Sequence, residues 1–311
     1  MADPQRPAPT DEVERQRLLD ALHIVGSLPE PAYEDITKLA AAVCGTPMAL
    51  VTLIDRDRQW FKARSGVDGR QTDRDVAVCD HAIRQPDQLM EIGDLQQDSR
   101  FVENPVLKEM GARFYAGMPL VTGDGAAIGS VCVVDLQPRE LNDAQRDALK
   151  ALARLTIALM EARSREREQA VVEILNQGLE LEAAHAPQAG AEYSVVILEL
   201  QDLDELAARY GERGLERQLL LLDQKLEQCL QVPRGDSVNR VTGSGEFIAV
   251  LGAERAADTL AALQRIAEET RHMLGASLLI GSAGTHTGES TSAVFQRADQ
   301  SLSRAKDTLR N

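Results

Sequence analysis

Positive charge is in short supply along this chain. Its 34 Lys and Arg are outnumbered by 49 Asp and Glu, giving a formal charge of −15 at pH 7. A nucleic-acid surface needs a basic face, so nucleic acid is excluded as a partner; an acidic surface also repels anionic membranes and, less strongly, nucleotides. Long apolar runs are missing too, since none approaches the roughly 18 to 20 residues of a membrane span. The opening M-A-D-P-Q-R-P-A-P-T has no apolar core of a signal peptide, and the expected compartment is the cytoplasm. Cys44, Cys79, Cys132 and Cys229 are widely spaced without a C-x-x-C pair, so reduced thiols are expected. No Cys/His cluster has the spacing of a zinc site, and no metal is expected there. Aromatic residues make up only 3% of the chain, which makes the position of each one informative.

What is present is ordinary core material. Apolar residues are 43% of 311, enough for two globular domains of mixed α/β (α+β) class. Residues 1–17 read as a flexible tail, the first dozen being polar and Pro-rich. From Glu14 the pattern turns helical, with Leu18, Leu19, Leu22 and Val25 on one stripe, and Gly26 and Pro29 stop it. A second helix is expected over Tyr33–Cys44. Strands are expected at Met48–Ile54, Gln59–Ala63, Arg113–Val121 and Ala127–Val134, the last opened by the Gly123-Asp124-Gly125 turn.

The segments D-R-D-R-Q-W-F-K-A-R-S-G (55–66), V-C-D-H-A-I (78–83), D-S-R-F-V-E-N-P (98–105), R-F-Y-A-G-M-P-L (113–120) and I-G-S-V-C-V-V-D (128–135) together resemble a GAF domain. The resemblance covers about Leu18 to Met160, and residues 18–160 are assigned to it. It implies the fold but not a ligand, because GAF domains bind many small molecules and some bind none. Candidate pocket residues are Trp60, Phe61, Cys79, His81, Phe101 and Tyr115. The plainer reading of the aromatics is core, and Cys79 and His81, at i and i+2, would face different ways on a helix and could not share a metal. Their plainer reading is a buried thiol and a hydrogen-bonded imidazole.

A long helix is expected from Asn142, within a connecting segment spanning 140–185. Ala148, Leu152, Leu155, Leu159 and Ala162 form an apolar stripe with heptad-like steps. Then come Arg163-Ser164-Arg165-Glu166-Arg167-Glu168-Gln169 without an apolar position, and the stripe resumes at Val172, Leu175 and Leu179, out of phase. Either this is a solvated helix surface or it is a signalling helix that pairs two copies, and a homodimer through residues 148–179 is expected. Pro187 and Gly190 mark the next boundary.

Beyond it the order reads β (Tyr193–Leu200), α (Asp202–Tyr210), α (Glu212–Gln231), a hairpin (Ser237–Leu251), α (Glu254–Leu274), β (Ser277–Thr285), α (Ala293–Leu309). That order suits a ferredoxin-like palm. With the Gly243-Ser244-Gly245-Glu246-Phe247 hairpin and the ending R-A-D-Q-S-L-S-R-A-K-D-T-L-R-N, residues 191–311 resemble the GGDEF (diguanylate cyclase) family. The family joins two GTP molecules with divalent metals, so Mg²⁺ is implied only where activity persists.

The reagents are eroded. The strand carboxylate falls on Glu199, and the signature carboxylate falls on Gly245, which has no side chain. The base-contacting pair falls on Ala207-Ala208, the second base contact on Glu216, and a phosphate-contacting Lys on Asp204. Lys306 and Arg310 remain of the phosphate set. At the family's inhibitory site Arg234 keeps its place, while Asp236 stands one residue early, before Ser237. The resemblance therefore implies a cyclic di-GMP signalling protein with a catalytically inactive GGDEF domain that regulates or binds a protein partner, with no cofactor expected. Two alternatives stand beside it: an effector that binds GTP or cyclic di-GMP through the vestigial site, and a cyclase with residual activity through Glu199 and Glu246.

Overall fold

Seven uncharged residues, Met48–Ile54, form β1, a strand buried at every position. In the computed structural model, which describes residues 11–185, 192–230, 236–241, 243–252, 256–286 and 289–309, the chain divides into two compact units. The first runs to Ser164 and the second from Arg165, apart from a short segment at Gly26–Leu28 that counts with the second.

In the first unit β1 is joined by β2 (Arg58–Ser65), β3 (Gln71–Asp73), β4 (Met90–Ile92), β5 (Phe114–Val121) and β6 (Ala127–Asp135). They form one antiparallel sheet in the order β3-β2-β1-β6-β5-β4. Because side chains alternate along a strand, the sheet has two apolar faces. Ala49, Val51 and Leu53 pack with helices α1 (Glu12–Ala21), α2 (Pro31–Cys44) and the start of α5 (Asp143–His185). Met48, Leu50 and Ile54 face the other way, under α3 (Val78–Ala82) and α4 (Pro105–Met110).

The register of β1 and β2 slips between Val51 and Thr52, so that Thr52 opposes Phe61 and Val51 opposes Ala63. The extra residue, Lys62, turns onto the α2 side, where its ammonium meets Glu30 at 2.6 Å and lies 4.9 Å from the centre of the Tyr33 ring. Such a bulge moves the side chains beyond it to the opposite face, and Ala63 joins Trp60 in the same core.

Helix α5 starts with a reciprocal cap: the Gln145 amide donates to Asn142 Oδ1 at 2.9 Å, and the Asn142 amide donates to Gln145 Oε1 at 3.1 Å. Its apolar stripe departs from the expected repeat. Leu149, Leu152, Ala153, Ile157 and Met160 enter the first unit's core. Leu155 and Leu159 stay 57% and 38% exposed. Farther on, Val171, Ile174 and Leu175 are core residues of the second unit, with Leu179 packed against them, while Val172 is exposed. The shift in phase thus changes which unit the helix serves, and Leu152, Leu175 and Leu179 are core positions of their own units.

The second unit carries β7 (Tyr193–Leu200), β8 (Ser237–Arg240), β9 (Glu246–Gly252) and β10 (Leu278–Gly284) in the order β10-β7-β9-β8, all antiparallel. With α6 (Leu203–Cys229), α7 (Ala256–Leu274) and α8 (Thr291–Leu309) this is the ferredoxin-like plan. Gly211, at φ 70 and ψ 163, breaks α6 into two arms, as the two expected helices require. Val196, Leu198 and Leu200 face α6 and α7, and Val195 and Ile197 face α5 and α8.

Candidate functional site

Glu199 and Glu246 stand directly opposite each other at one end of the β7–β9 ladder. By alternation both point to the face that carries α5 and α8, with Ile197 and Ile248. Facing carboxylates repel, and each is matched by a cation of the chain itself. Arg167 of α5 grips Glu246 twice, Nε to Oε2 at 2.7 Å and Nη2 to Oε1 at 2.5 Å. The side chains of this pair are only 10% and 4% exposed. Lys306 of α8 sets Nζ 2.8 Å from Glu199 Oε2, and Gln201 Nε2 donates to Glu199 Oε1 at 2.8 Å. Asp299 lies 3.9 Å from Arg167 Nη2. Burial works against the Arg167 charge, but Glu246, then Asp299 and Glu199, outweigh it and hold the guanidinium pKa above its ordinary value.

The connecting turn closes on itself. Ser244 Oγ donates to the Val241 carbonyl at 2.8 Å and accepts from the Glu246 amide at 3.1 Å. Gly243 takes φ 72, the left-handed region that favours glycine. At Gly245 the constraint is space. A Cβ there would lie 2.9 and 3.0 Å from the two Leu203 methyls and 3.2 Å from the Leu200 carbonyl oxygen. Leu203, buried at the start of α6, occupies the room that a side chain at 245 would need.

These residues do not fit a divalent metal. Position 245 supplies no side-chain oxygen, and the nearby carboxylates already face an ammonium and a guanidinium, whose charge repels a second cation. Among the described residues no group of three or more His, Cys, Asp or Glu is gathered as a metal site. Glu216 is held by Arg240, at 2.5 Å to Nη2. Asp236 is buried and accepts from the Gly252 amide at 3.0 Å, so it braces the end of β9. Arg234 and Arg310 lie outside the described residues.

The first unit holds a cleft of about 540 Å³ on the sheet face under α3 and α4. Phe61, Cys79 and Tyr115 line it, together with Cys132. Trp60 does not: it lies in the core on the α2 side of the sheet. Phe101 and His81 meet edge to face, 4.9 Å between ring centres, and neither is among the described lining residues. Burial, then the nearby Arg84 charge, lowers the His81 pKa.

Two cysteines 53 positions apart meet in this cleft, with Sγ atoms 3.7 Å apart. Tyr115 Oη donates to Cys79 Sγ at 3.3 Å. Its ring can lie there because Gly117, the ladder partner of Cys132, has no side chain; a Cβ at 117 would fall 2.2 Å from the Tyr115 hydroxyl. The hydrogen bond with Cys132, helped by Ser130, Thr52 and Tyr115 against the penalty of burial, lowers the Cys79 thiol pKa, and Cys132 is pushed up in turn. Cys44, on the opposite face, is pushed up to about 11 by burial alone against a small pull from Arg139.

Two family models match the chain. One is the GAF domain, over residues 29–158, and the other is the diguanylate cyclase, GGDEF domain, over residues 173–311. The chain is a GAF domain followed by a GGDEF domain. A curated relative, the cyclic di-GMP phosphodiesterase PA2567 of Pseudomonas aeruginosa, is 40% identical over 161 residues, which is 51% of this chain and 27% of that protein. The chain therefore spans under a third of that relative's length. Among solved structures, a microbial GGDEF domain studied with bis-(3′,5′)-cyclic di-GMP aligns at TM-score 0.37 and 24% identity, covering 46% of this chain and 86% of that one. The GAF domain of an Acinetobacter phosphoenolpyruvate-protein phosphotransferase aligns at TM-score 0.36 and 13% identity, covering 49% of this chain and 96% of that one.

In the GGDEF domain, then, the signature Gly243-Ser244-Gly245-Glu246-Phe247 is a closed turn followed by a buried ion pair, with Phe247 fully buried on the α6 side. Sequence reasoning missed Arg167 and Leu203 here. Arg167 sits in the charged stretch 163–169, where nothing distinguishes a gripping arginine from a solvated one. In the GAF domain it missed Cys132, because V-C-V-V (131–134) is apolar throughout and hides which residues face the cleft; the two-residue step from Ser130 was the available signal.

Proposed function

We propose that this is a cyclic di-GMP signalling protein whose GAF domain receives the input and whose GGDEF domain is a non-catalytic regulatory or partner-binding module. The observation that carries this reading is the state of the signature end of the sheet. Glu246 and Glu199 are consumed by Arg167 and Lys306, and Leu203 closes the space at Gly245. Phosphoryl chemistry of this class relies on positioned metals that neutralise developing charge. Here the chain's own cations occupy the carboxylates that would hold them. The name of the PA2567 relative supports the cyclic di-GMP setting. The GAF cleft, at about 540 Å³, falls within the size range of small-molecule sites.

No helix among the described residues is long and apolar enough to cross a membrane. Our reading also makes the protein a cytoplasmic homodimer, paired along the exposed edge of α5 at Leu155 and Leu159. The test is turnover. Purified full-length protein incubated with GTP and Mg²⁺ or Mn²⁺ is expected to form no cyclic di-GMP above a no-enzyme control. Product formation that disappears on Glu199→Ala would overturn the reading.

A further inference from the structure

The Cys79–Cys132 contact has no part in the GGDEF reading and stands independently of it. We propose that Cys79 and Cys132 form a reversible disulfide when a hydroperoxide enters the GAF cleft. The cleft joins the two sulfurs to the surface: its lining runs from the exposed Asp68 and Glu109 to Cys79 and Cys132, which are 2% and 1% exposed. A small polar oxidant can thus reach sulfur without unfolding the domain. The second sulfur is already in contact at 3.7 Å, and no other atom need travel far for a bond of about 2.05 Å to close.

Cys79 is the attacking sulfur. The Tyr115 hydroxyl donates to it and the Cys132 thiol lies against it, contacts that stabilise its thiolate. The thiolate attacks one peroxide oxygen: an S–O bond forms, the O–O bond breaks, and the departing alkoxide takes a proton and leaves as alcohol, or as water when the oxidant is hydrogen peroxide. Cys79 is then a sulfenic acid, oxidised by two electrons. Cys132 attacks Cys79 Sγ, the S–S bond forms, the S–O bond breaks, and hydroxide leaves as water with the proton from Cys132. A dithiol reductant reverses the change by exchange through a mixed disulfide. Closing the bond removes the acceptor that holds Tyr115, so the cleft floor must rearrange.

Cys44, on the far face of the sheet, and Cys229, on α6 of the other unit, serve as internal controls. The experiment uses the reduced full-length chain treated with one equivalent of hydrogen peroxide. Thiols are counted in denaturant, and the digest is mapped without reductant. The titre is expected to fall from four to two, with Cys79 and Cys132 peptides linked and dithiothreitol restoring all four. Cys132→Ser should stop the reaction at a Cys79 sulfenic acid trapped by dimedone, and Cys79→Ser should keep its remaining thiols. Four surviving thiols, or a loss confined to Cys229, would overturn the proposal. So would a Cys79→Ser variant that consumes peroxide as fast as the parent. If either variant fails to fold, the peptide map of the parent chain decides alone.

Discussion

At Gly245 one hydrogen atom in place of a side chain governs two things. It removes the carboxylate, and it lets Leu203 settle against the hairpin. Only the first was legible in the sequence, because a missing ligand can be read from one position, whereas its replacement comes from a residue 42 positions earlier. Restoring the carboxylate is therefore expected to be harmful. Gly245→Asp forces Leu203 from its place and should cost about 1–3 kcal/mol, the usual range for overpacking. It should also leave the protein without cyclase product, since Ala207 and Asp204 still offer nothing to base or phosphate. Urea unfolding followed at the second unit, with the GTP assay alongside, checks both parts.

At the level of elements, the sheets were the most legible feature. Met48–Ile54 and Tyr193–Leu200 appear with the expected bounds, because short, mainly apolar segments of strand length leave few alternatives. The three-residue β3 and β4 and the five-residue α3 were not foreseen, since so short a segment does not complete a second period of its pattern. Ion pairing between elements was equally hidden. Arg167 brings a charge from α5 to the β7–β9 ladder, and the pair it forms with Glu246 is buried on both sides. Removing one member strands the other: Arg167→Ala is expected to destabilise the second unit by roughly 3–5 kcal/mol. Replacing both, as Arg167→Met with Glu246→Leu, should recover most of that loss, because apolar residues of similar size carry no desolvation cost. Thermal melts of the two variants against the parent measure the difference, and equal losses in the single and the double variant would show that the pair is not coupled.

For the whole molecule, the informative element is α5, because each unit claims a different stretch of it. The sequence placed one pairing seam over residues 148–179, interrupted by the charged stretch 163–169. The structure keeps Leu152 in the first core and Ile174 and Leu175 in the second, and leaves Leu155 and Leu159 as exposed leucines. Sequence periodicity could not make this division, since a leucine facing its own sheet and one facing a partner have the same spacing. We expect the exposed pair to be covered by the same pair of a second copy, each buried leucine contributing on the order of 1.5 to 3 kcal/mol. Leu155→Glu with Leu159→Glu should then turn a dimer into a folded monomer in light scattering. A parent chain already monomeric at the same concentration would remove the basis for pairing.

The contact between Leu203 and Gly245 also gives this hairpin a direction in descent. A lineage that tried to regain an acid at 245 in one step would meet the leucine first and lose stability before gaining any ligand. Trimming Leu203 first would leave a void in a buried position, with its own penalty. Both orders cross a less stable ancestor, so the departure from the signature behaves as a ratchet.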